Sequence, residues 1–328
     1  METMKKWNRS DVSDLLRSYG FQLADFDVKE LQRGSDNLNL VITVDKEKFV
    51  LRRYDITSQS EIEFELALVT HLVQKGFPTP PVLSHEKGDL WTWFCRKPAA
   101  LFRFVDGIHP DVSSWEAVGR AAVTVANFHL MAADFECSRV RSRTDYERIK
   151  RLQTLCREKP SLLLTDGLSG LLDDIRDFEL SLKEKLRFAG SRIPVGVVHH
   201  DLNPDNFLYD EFGEVVALLD FDESHVSCLL VDLASLIHYW AMEGSSLQLN
   251  ISRAAHIISA YQAIRSLSSD EMKLLGDFVL FFLAADAAEY VTRQLTYRPA
   301  DIDVQECKSY RAFAILSKSQ EWRKCLAP

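Results

Sequence analysis

Three side chains in one short stretch have the types and spacing of a phosphoryl-transfer site. The segment Val198-His199-His200-Asp201-Leu202-Asn203-Pro204-Asp205-Asn206, followed by Leu218-Leu219-Asp220-Phe221-Asp222, sets an aspartate at 201, an amide five residues later and a second aspartate fourteen after that. Transfer of a phosphoryl group from a magnesium nucleotide needs a carboxylate that orients the attacking hydroxyl or accepts its proton. It also needs hard oxygen ligands for the metal ions that bridge the phosphates. Asp201 suits the first task, and Asn206 and Asp220 suit the second. A lone Asp or Asn in a turn is ordinarily a turn former; the three together, between short strands, supply parts that work as a set.

The elements that must position these residues follow from the hydrophobic pattern. Residues 28–31, 38–44 and 48–53 are β-branched or apolar-rich and are broken by Gly34, Asn37 and Asp45, which predicts three antiparallel strands. Ser58 or Ser60 caps a helix whose apolar positions Ile62, Leu66, Val69, Leu72 and Val73 recur at helical spacing; it stops at Gly76, with Pro78 just beyond. Residues 90–95 and 99–105 predict two more strands, closed by Asp106-Gly107. Beyond them the period becomes helical over 115–131, 146–156 and 168–188, and again over 229–242, 251–264, 271–295 and 307–322. The stretch with the chemistry is a β-rich island in that helical half, at 196–198, 206–209 and 215–219. The expected fold class is therefore α+β, with a small antiparallel sheet lobe over residues 1–105 and a larger, mainly helical lobe over 106–328.

Composition narrows the function from the other side. With 39 Lys+Arg against 48 Asp+Glu, the formal charge of −9 argues against a nucleic-acid partner, which would demand a basic excess. Hydrophobic residues at 46% and charged residues at 27% are ordinary globular proportions, so a disordered or fibrous chain is a poor fit. The longest uninterrupted apolar run, Phe278 to Ala285, falls far below the roughly 20 residues that span a bilayer and reads as a buried helix segment, so no membrane partner is expected. The N-terminal residues lead into polar sequence with no apolar signal core, and a cytoplasmic location is expected. The six cysteines are scattered with no Cys-x-x-Cys and read as reduced thiols. None of the 13 glycines completes a Walker loop, a Gly-x-Gly-x-x-Gly turn or a Gly-x-Ser-x-Gly elbow, which argues against P-loop, dinucleotide and serine-hydrolase chemistry.

The order His199-x-Asp201-x-x-x-x-Asn206, then Leu219-Asp220-Phe221, then Asp232-Leu233-Ala234 resembles the kinase-like family that includes aminoglycoside phosphotransferases, choline kinases, methylthioribose kinases and type II homoserine kinases. The resemblance implies a protein-kinase-like bilobal fold with ATP and Mg2+ as cofactors. It makes Asp201 the catalytic base, Asn206 and Asp220 the magnesium ligands, and His199 and Asp232 the braces of the catalytic loop. Gly34-Ser35-Asp36-Asn37-Leu38-Asn39 is similar to the family's phosphate-approaching turn, which makes Gly34 and Ser35 cofactor-binding. Where strand three of such kinases offers a lysine to the phosphates, this chain has Arg52, which keeps the charge and adds a planar fork. Its partner on the following helix is Glu65 by helical register, with Glu61 next; the alternative for Arg52 and Glu65 is a surface ion pair of little weight. The strand and turn at 100–107 are then the inter-lobe hinge that meets adenine.

Arg96-Lys97-Pro98-Ala99-Ala100-Leu101, Phe104-Val105-Asp106-Gly107 and Tyr261-Gln262-Ala263-Ile264-Arg265-Ser266-Leu267 look like type II homoserine kinases, so the resemblance covers about 11–295. It implies a small-molecule hydroxyl acceptor, an amino acid or amino alcohol such as homoserine, and a monomer or homodimer. The alternatives are an aminoglycoside-type antibiotic phosphotransferase and a non-catalytic nucleotide-binding regulator of the same fold. No Ala-Pro-Glu or long activation segment follows Asp220, which argues against a protein kinase. One departure is Asp222, where the homoserine kinases tend to carry an aromatic residue. Asp286 and Glu289 share a helix face and either receive an amino group of the substrate or form a solvated face, with Glu289 paired to Arg293 four residues on. His238, Tyr239 and Trp240 either line the acceptor pocket or pack in the core, and His200 reads as a neighbour without a role.

Overall fold

In the computed structural model the described residues are 7–22, 25–31, 37–137, 144–244, 246–297, 303–319 and 321–326. Gly34 and Ser35 lie outside them. The chain starts with α1 (Arg9–Ser18), held at its N-terminus by a reciprocal cap between Asn8 and Asp11, and β1 (Phe26–Leu31). The hairpin that follows is closed by chemistry at its turn: Asp45 and Lys46, at φ 49° and 72°, take the two left-handed positions of a type I′ turn between β2 (Asn37–Val44) and β3 (Glu47–Tyr54). Cys95 and Arg96, at φ 50° and 67°, do the same between β4 (Thr92–Phe94) and β5 (Lys97–Arg103). Together these strands make one antiparallel sheet in the order β1-β2-β3-β5-β4.

Side-chain alternation gives that sheet two faces with different jobs. Leu40, Ile42, Phe49 and Leu51 point to one face and join Val12, Leu15 and Leu16 of α1 in a buried cluster. Asn37, Asn39, Arg52 and Tyr54 therefore point to the other, with Asn39 directly across from Arg52. Helix α2 (Gln59–Gln74) begins at Ser58, whose side chain and that of Glu61 form a capping box. It ends at Gly76, whose φ of 78° lets Gly76 N–H reach Val73 O at 3.0 Å and Phe77 N–H reach Leu72 O at 3.0 Å.

The remaining elements are α3 (Trp115–Met131), α4 (Asp145–Glu158), α5 (Leu168–Ala189), β6 (Val195–Val198), β7 (Phe207–Tyr209), β8 (Val215–Leu218), β9 (His225–Cys228), α6 (Leu230–Ala241), α7 (Ile251–Gln262), α8 (Ser269–Tyr297), α9 (Lys308–Ser317) and α10 (Glu321–Leu326). β6 pairs antiparallel with β9, and β7 with β8. The apolar run at 278–285 is buried along its whole length in α8, as its composition demands. Among the described residues no helix is long and apolar enough to cross a membrane.

Pattern reading missed α1 and β9, and it merged α9 with α10. Ser319 separates that pair by accepting from the Glu321 N–H at 3.2 Å, a cap that starts a new helix.

The chain divides into two compact units that are not contiguous in sequence. One comprises Met1–Ile108, Asp134–Val140 and Leu208–Asp222; the other comprises His109–Ala133, Arg141–Phe207 and Glu223–Pro328. The hairpin that carries Asp220 and Asp222 thus belongs with the sheet. Ile108 and Tyr209 exchange backbone bonds of 2.9 and 2.8 Å, and Leu218 N–H reaches Pro78 O at 2.8 Å. Gly107 permits this approach, because a Cβ there would lie 2.8 Å from Leu208 Cβ.

Candidate active site

In the larger unit, the loop after β6 is built around Asp201 and pinned from α6. Asp232, with no exposed surface, accepts the backbone N–H of His199 at 2.8 Å on one oxygen and that of His200 at 2.7 Å on the other. His129 Nε2 adds a third contact at 2.9 Å, while its Nδ1 lies 2.6 Å from the Tyr261 hydroxyl. Burial alone would raise the Asp232 pKa; the hydrogen bond and charge of His129, followed by His199, hold it below the usual carboxylate range. Helical spacing then brings Ser235 and Trp240 onto the same loop. Ser235 Oγ donates to His200 O at 2.7 Å and accepts Leu202 N–H at 3.2 Å, and Trp240 Nε1 donates to Leu202 O at 2.8 Å.

Asp201 is gripped by amides. Asn206 Nδ2 donates to the Asp201 backbone oxygen at 2.8 Å and to its carboxylate Oδ2 at 2.9 Å, while Asn203 Nδ2 donates to Oδ1 at 2.9 Å. Tyr239 also hydrogen-bonds the Asp201 side chain; burial first, then Asp286 and Asp201, push its phenol well above its ordinary pKa, so it remains a donor. With the Asn206 amino group committed to Asp201, its amide oxygen, a hard ligand, is turned the other way. That is the orientation a magnesium ligand needs.

His200 proves to be structural, against its reading as a bystander. It sits in the left-handed region at φ 75° and is 3% exposed, with Nε2 2.7 Å from Asp145 Oδ1. Burial would raise the Asp145 pKa, but His200 outweighs it and the carboxyl falls to about 2. His225, the neighbouring ring, is held down to about 4 by burial and then by the charge of His200. Arg148 pairs with Glu223 at 2.5 Å on the same side. No motif pointed to Asp145, Asn203 or His129; only Asn203, two residues after Asp201, had a position from which it could have been suspected.

The acidic helix positions also resolve. Glu289 pairs with Arg151 at 2.7 Å, and Asp286 accepts from Ser309 Oγ at 2.5 Å. Asp286 contributes its charge at Tyr239, His238 and Arg148. Trp240 is core, packed edge-on against Phe207, whereas Tyr239 hydrogen-bonds Asp201.

In the sheet unit, Arg52 is no surface residue. Its side chain is 11% exposed, and Nη2 donates to Asp220 Oδ1 and to Asp222 Oδ2, both at 2.8 Å. Asn37 Nδ2 donates to the same Asp222 oxygen at 3.0 Å. Burial would lower the Arg52 pKa, but Asp220, Asp222 and then Glu65 hold it well above its ordinary value. The ion pairs of Arg52 go to the two aspartates, and Glu65 adds charge from α2 and raises the Tyr54 phenol as well. Glu61 is taken up by the helix cap, accepting Ser58 N–H at 3.0 Å and Ser58 Oγ at 2.7 Å.

Asp220 has the left-handed φ of 64°, a strained setting typical of functional turns, and keeps 34% of its side chain exposed. Asp220, Asp222 and Glu65 bring three carboxylates to Arg52. Among the described residues no group of three or more His, Cys, Asp or Glu side chains could hold a metal ion by itself. Magnesium in nucleotide sites ordinarily takes only one or two protein oxygens, the rest coming from phosphates and water.

The family model described as "Phosphotransferase enzyme family" matches residues 27–267, and the chain belongs to that family. It is a small-molecule kinase. The homoserine kinase of Rhodospirillum rubrum is 27% identical over 75% of this chain and 74% of its own length. That of Agrobacterium fabrum is 28% identical over 83% and 84%. Among solved structures, a microcompartment-associated aminopropanol kinase has a TM-score of 0.71 at 18% identity, covering 98% of this chain and 99% of its own. An amicoumacin kinase in complex with AMP-PNP and Ca2+ has a TM-score of 0.70 at 15% identity, covering 98% and 93%. These likenesses establish a kinase-like α+β fold.

Proposed function

We propose that this chain transfers the γ-phosphoryl group of ATP to the hydroxyl of a small amino acid or amino alcohol, with homoserine as the leading acceptor. The observation that carries the reading is the grip of Asn203 and Asn206 on Asp201, which aims a carboxylate and turns the Asn206 amide oxygen outward. Asp201 orients the acceptor hydroxyl and takes its proton as the oxygen bonds to phosphorus and the bond to the leaving nucleoside diphosphate breaks. Asn206 and Asp220 are the magnesium ligands, and bound magnesium supplies neutralisation of phosphate charge. Arg52, supported by Glu65, serves the phosphates, as do Gly34 and Ser35. His199 and Asp232 keep the loop in register.

An amino group on the acceptor is matched in charge by Asp286 and Asp201, which both act on Tyr239. Relatives named homoserine kinase and a fold neighbour named aminopropanol kinase support the same class. The test is ATP consumption with magnesium against homoserine, threonine, choline, methylthioribose and aminoglycosides, with Asp201→Asn as the control. Turnover of homoserine or another small amino alcohol, lost by a factor of about 1,000 or more in the variant, is the expected result. Turnover of an aminoglycoside alone would make the protein an antibiotic phosphotransferase, and full activity of Asp201→Asn would remove the base from the mechanism.

A further inference from the structure

The support of the loop that carries Asp201 does not end at His129. On one oxygen Asp232 accepts His199 N–H at 2.8 Å and lies 2.9 Å from His129 Nε2. At the end of α7, Tyr261 brings its hydroxyl to 2.6 Å from the other ring nitrogen, Nδ1. In the turn between α7 and α8, Arg265 Nη1 donates to that hydroxyl oxygen at 3.3 Å, and Nη2 donates to Glu271 Oε1 at 2.8 Å. Glu271 is fixed in turn by the start of α8: its Oε2 accepts Ser268 N–H at 2.9 Å, and Ser268 Oγ accepts the Glu271 N–H at 3.2 Å. Asp232, His129, Tyr261 and Glu271 are all buried, so a donor or acceptor left over along this line has no water to turn to.

The direction of each bond follows from what the groups can do. A guanidinium only donates, so the Tyr261 oxygen accepts from Arg265 and its own hydrogen goes elsewhere. Burial pushes the Tyr261 phenol above its ordinary pKa, so that hydrogen stays. Among the described residues the acceptor within its reach is His129 Nδ1. Nδ1 therefore carries no hydrogen, the ring hydrogen is on Nε2, and Nε2–H donates to Asp232, since the bond made by one imidazole nitrogen sets the state of the other. A hydrogen on Nδ1 would strand the buried phenol hydrogen without a partner.

We propose that Tyr261 is a positioning residue for the loop that carries Asp201: its O–H aims the His129 ring, His129 aims Asp232, and Asp232 sets the backbone of His199 and His200. Arg265 and Glu271 hold the hydroxyl in place. The inference rests on the reading of that loop as the one that performs phosphoryl transfer, and its test separates the two.

The experiment compares wild type, Tyr261→Phe, Arg265→Gln and the double variant as full chains labelled with 15N-histidine. It reads the His129 ring nitrogens by NMR, amide hydrogen exchange at His199 and His200, and kinetics with ATP, magnesium and homoserine. Wild type should show the hydrogen on Nε2 and an Nδ1 resonance shifted by an accepted hydrogen bond; in Tyr261→Phe, which removes one oxygen and keeps the ring, that shift should vanish. Exchange at His199 and His200 should quicken about tenfold and kcat should fall about tenfold, with the nucleotide KM within about twofold. Arg265→Gln should lower kcat about threefold alone and by less than about twofold in the Tyr261→Phe background, because the hydroxyl through which it acts is gone. A His129 hydrogen on Nδ1 in wild type would overturn the proposal. So would Tyr261→Phe with a lower urea midpoint but wild-type exchange and kcat, which is what a merely structural hydroxyl would give. Should Tyr261→Phe fail to fold, Arg265→Gln carries the same three readouts from the other side of the hydroxyl. Full activity of Asp201→Asn would overturn the reading of the loop and this proposal with it, whereas an inactive Asp201→Asn beside a fully active Tyr261→Phe would overturn this proposal alone. If homoserine is not turned over, the ring and amide signals still decide it.

Discussion

Asp201 is aimed by neutral amides and a phenol, and each of its contacts can be removed by one substitution. Asn203 is the cleanest probe, because it touches the Asp201 carboxylate at 2.9 Å and is no part of the proposed metal set. Asn203→Ala frees one carboxylate oxygen to rotate and leaves Asn206 and Asp220 in place. Its kcat should fall about tenfold, in line with one lost hydrogen bond, while the nucleotide KM stays within about twofold. Steady-state kinetics at saturating magnesium would check this, and an equal loss in both parameters would mean that Asn203 also supports the nucleotide. Asp201, Asn206 and Asp220 stand out in the sequence because their types and intervals are those that the proposed chemistry demands. Asn203 was not, since an Asn two residues after an Asp is ordinary turn composition. The direction in which Arg52 reaches was also hidden, because a strand's alternation fixes the face but not the partner.

Helix α6 acts as one tool on the loop that carries Asp201. Asp232, Ser235 and Trp240 each bond a backbone group between His199 and Leu202. The Asp-Leu-Ala motif announced the first of these; Trp240 looked like core and is, yet its N–H also holds the Leu202 carbonyl. Trp240→Phe keeps an aromatic ring against Phe207, loses that bond and leaves a cavity in the space of the indole's second ring. The expected cost is about 2–4 kcal/mol in urea unfolding, from the unpaired buried carbonyl and the cavity together, with a lower kcat and an unchanged nucleotide affinity. A variant as stable and as active as wild type would show that the loop is set without it.

At the scale of the whole molecule, the buried Asp145–His200–His225 group ties stability to pH. The His225 pKa is depressed from the ordinary 6.5 to about 4, so the unfolded chain takes up a proton that the native state refuses. Stability is therefore complete above about pH 6.5 and falls as pH drops toward 4, by on the order of 3 kcal/mol. The Asp145 carboxyl is likewise depressed, from 3.8 to about 2, and its contribution is present above the ordinary value and lost as pH falls through that lower window. Urea midpoints measured from pH 7.5 to 4 should decline continuously below 6.5. His225→Asn should flatten that decline while leaving the loss below pH 4. A wild-type midpoint unchanged between pH 7 and 4.5 would contradict the buried, neutral state of His225.

The sequence by itself determined the elements with strong periods, the five strands of the N-terminal part with the helix among them and the helical remainder, and it singled out Asp201, Asn206 and Asp220 as the set that the proposed chemistry needs. These are local or pairwise signals, carried by alternation, capping and fixed intervals. Only the tertiary structure decided that the Asp220 hairpin joins the sheet unit and that Asp145 and His129 support a loop 55 and 70 or more residues away along the chain. It alone set Arg52 between two aspartates. Such contacts depend on which buried polar groups must be paired once the chain is packed, and no interval in the sequence records where a partner will come from.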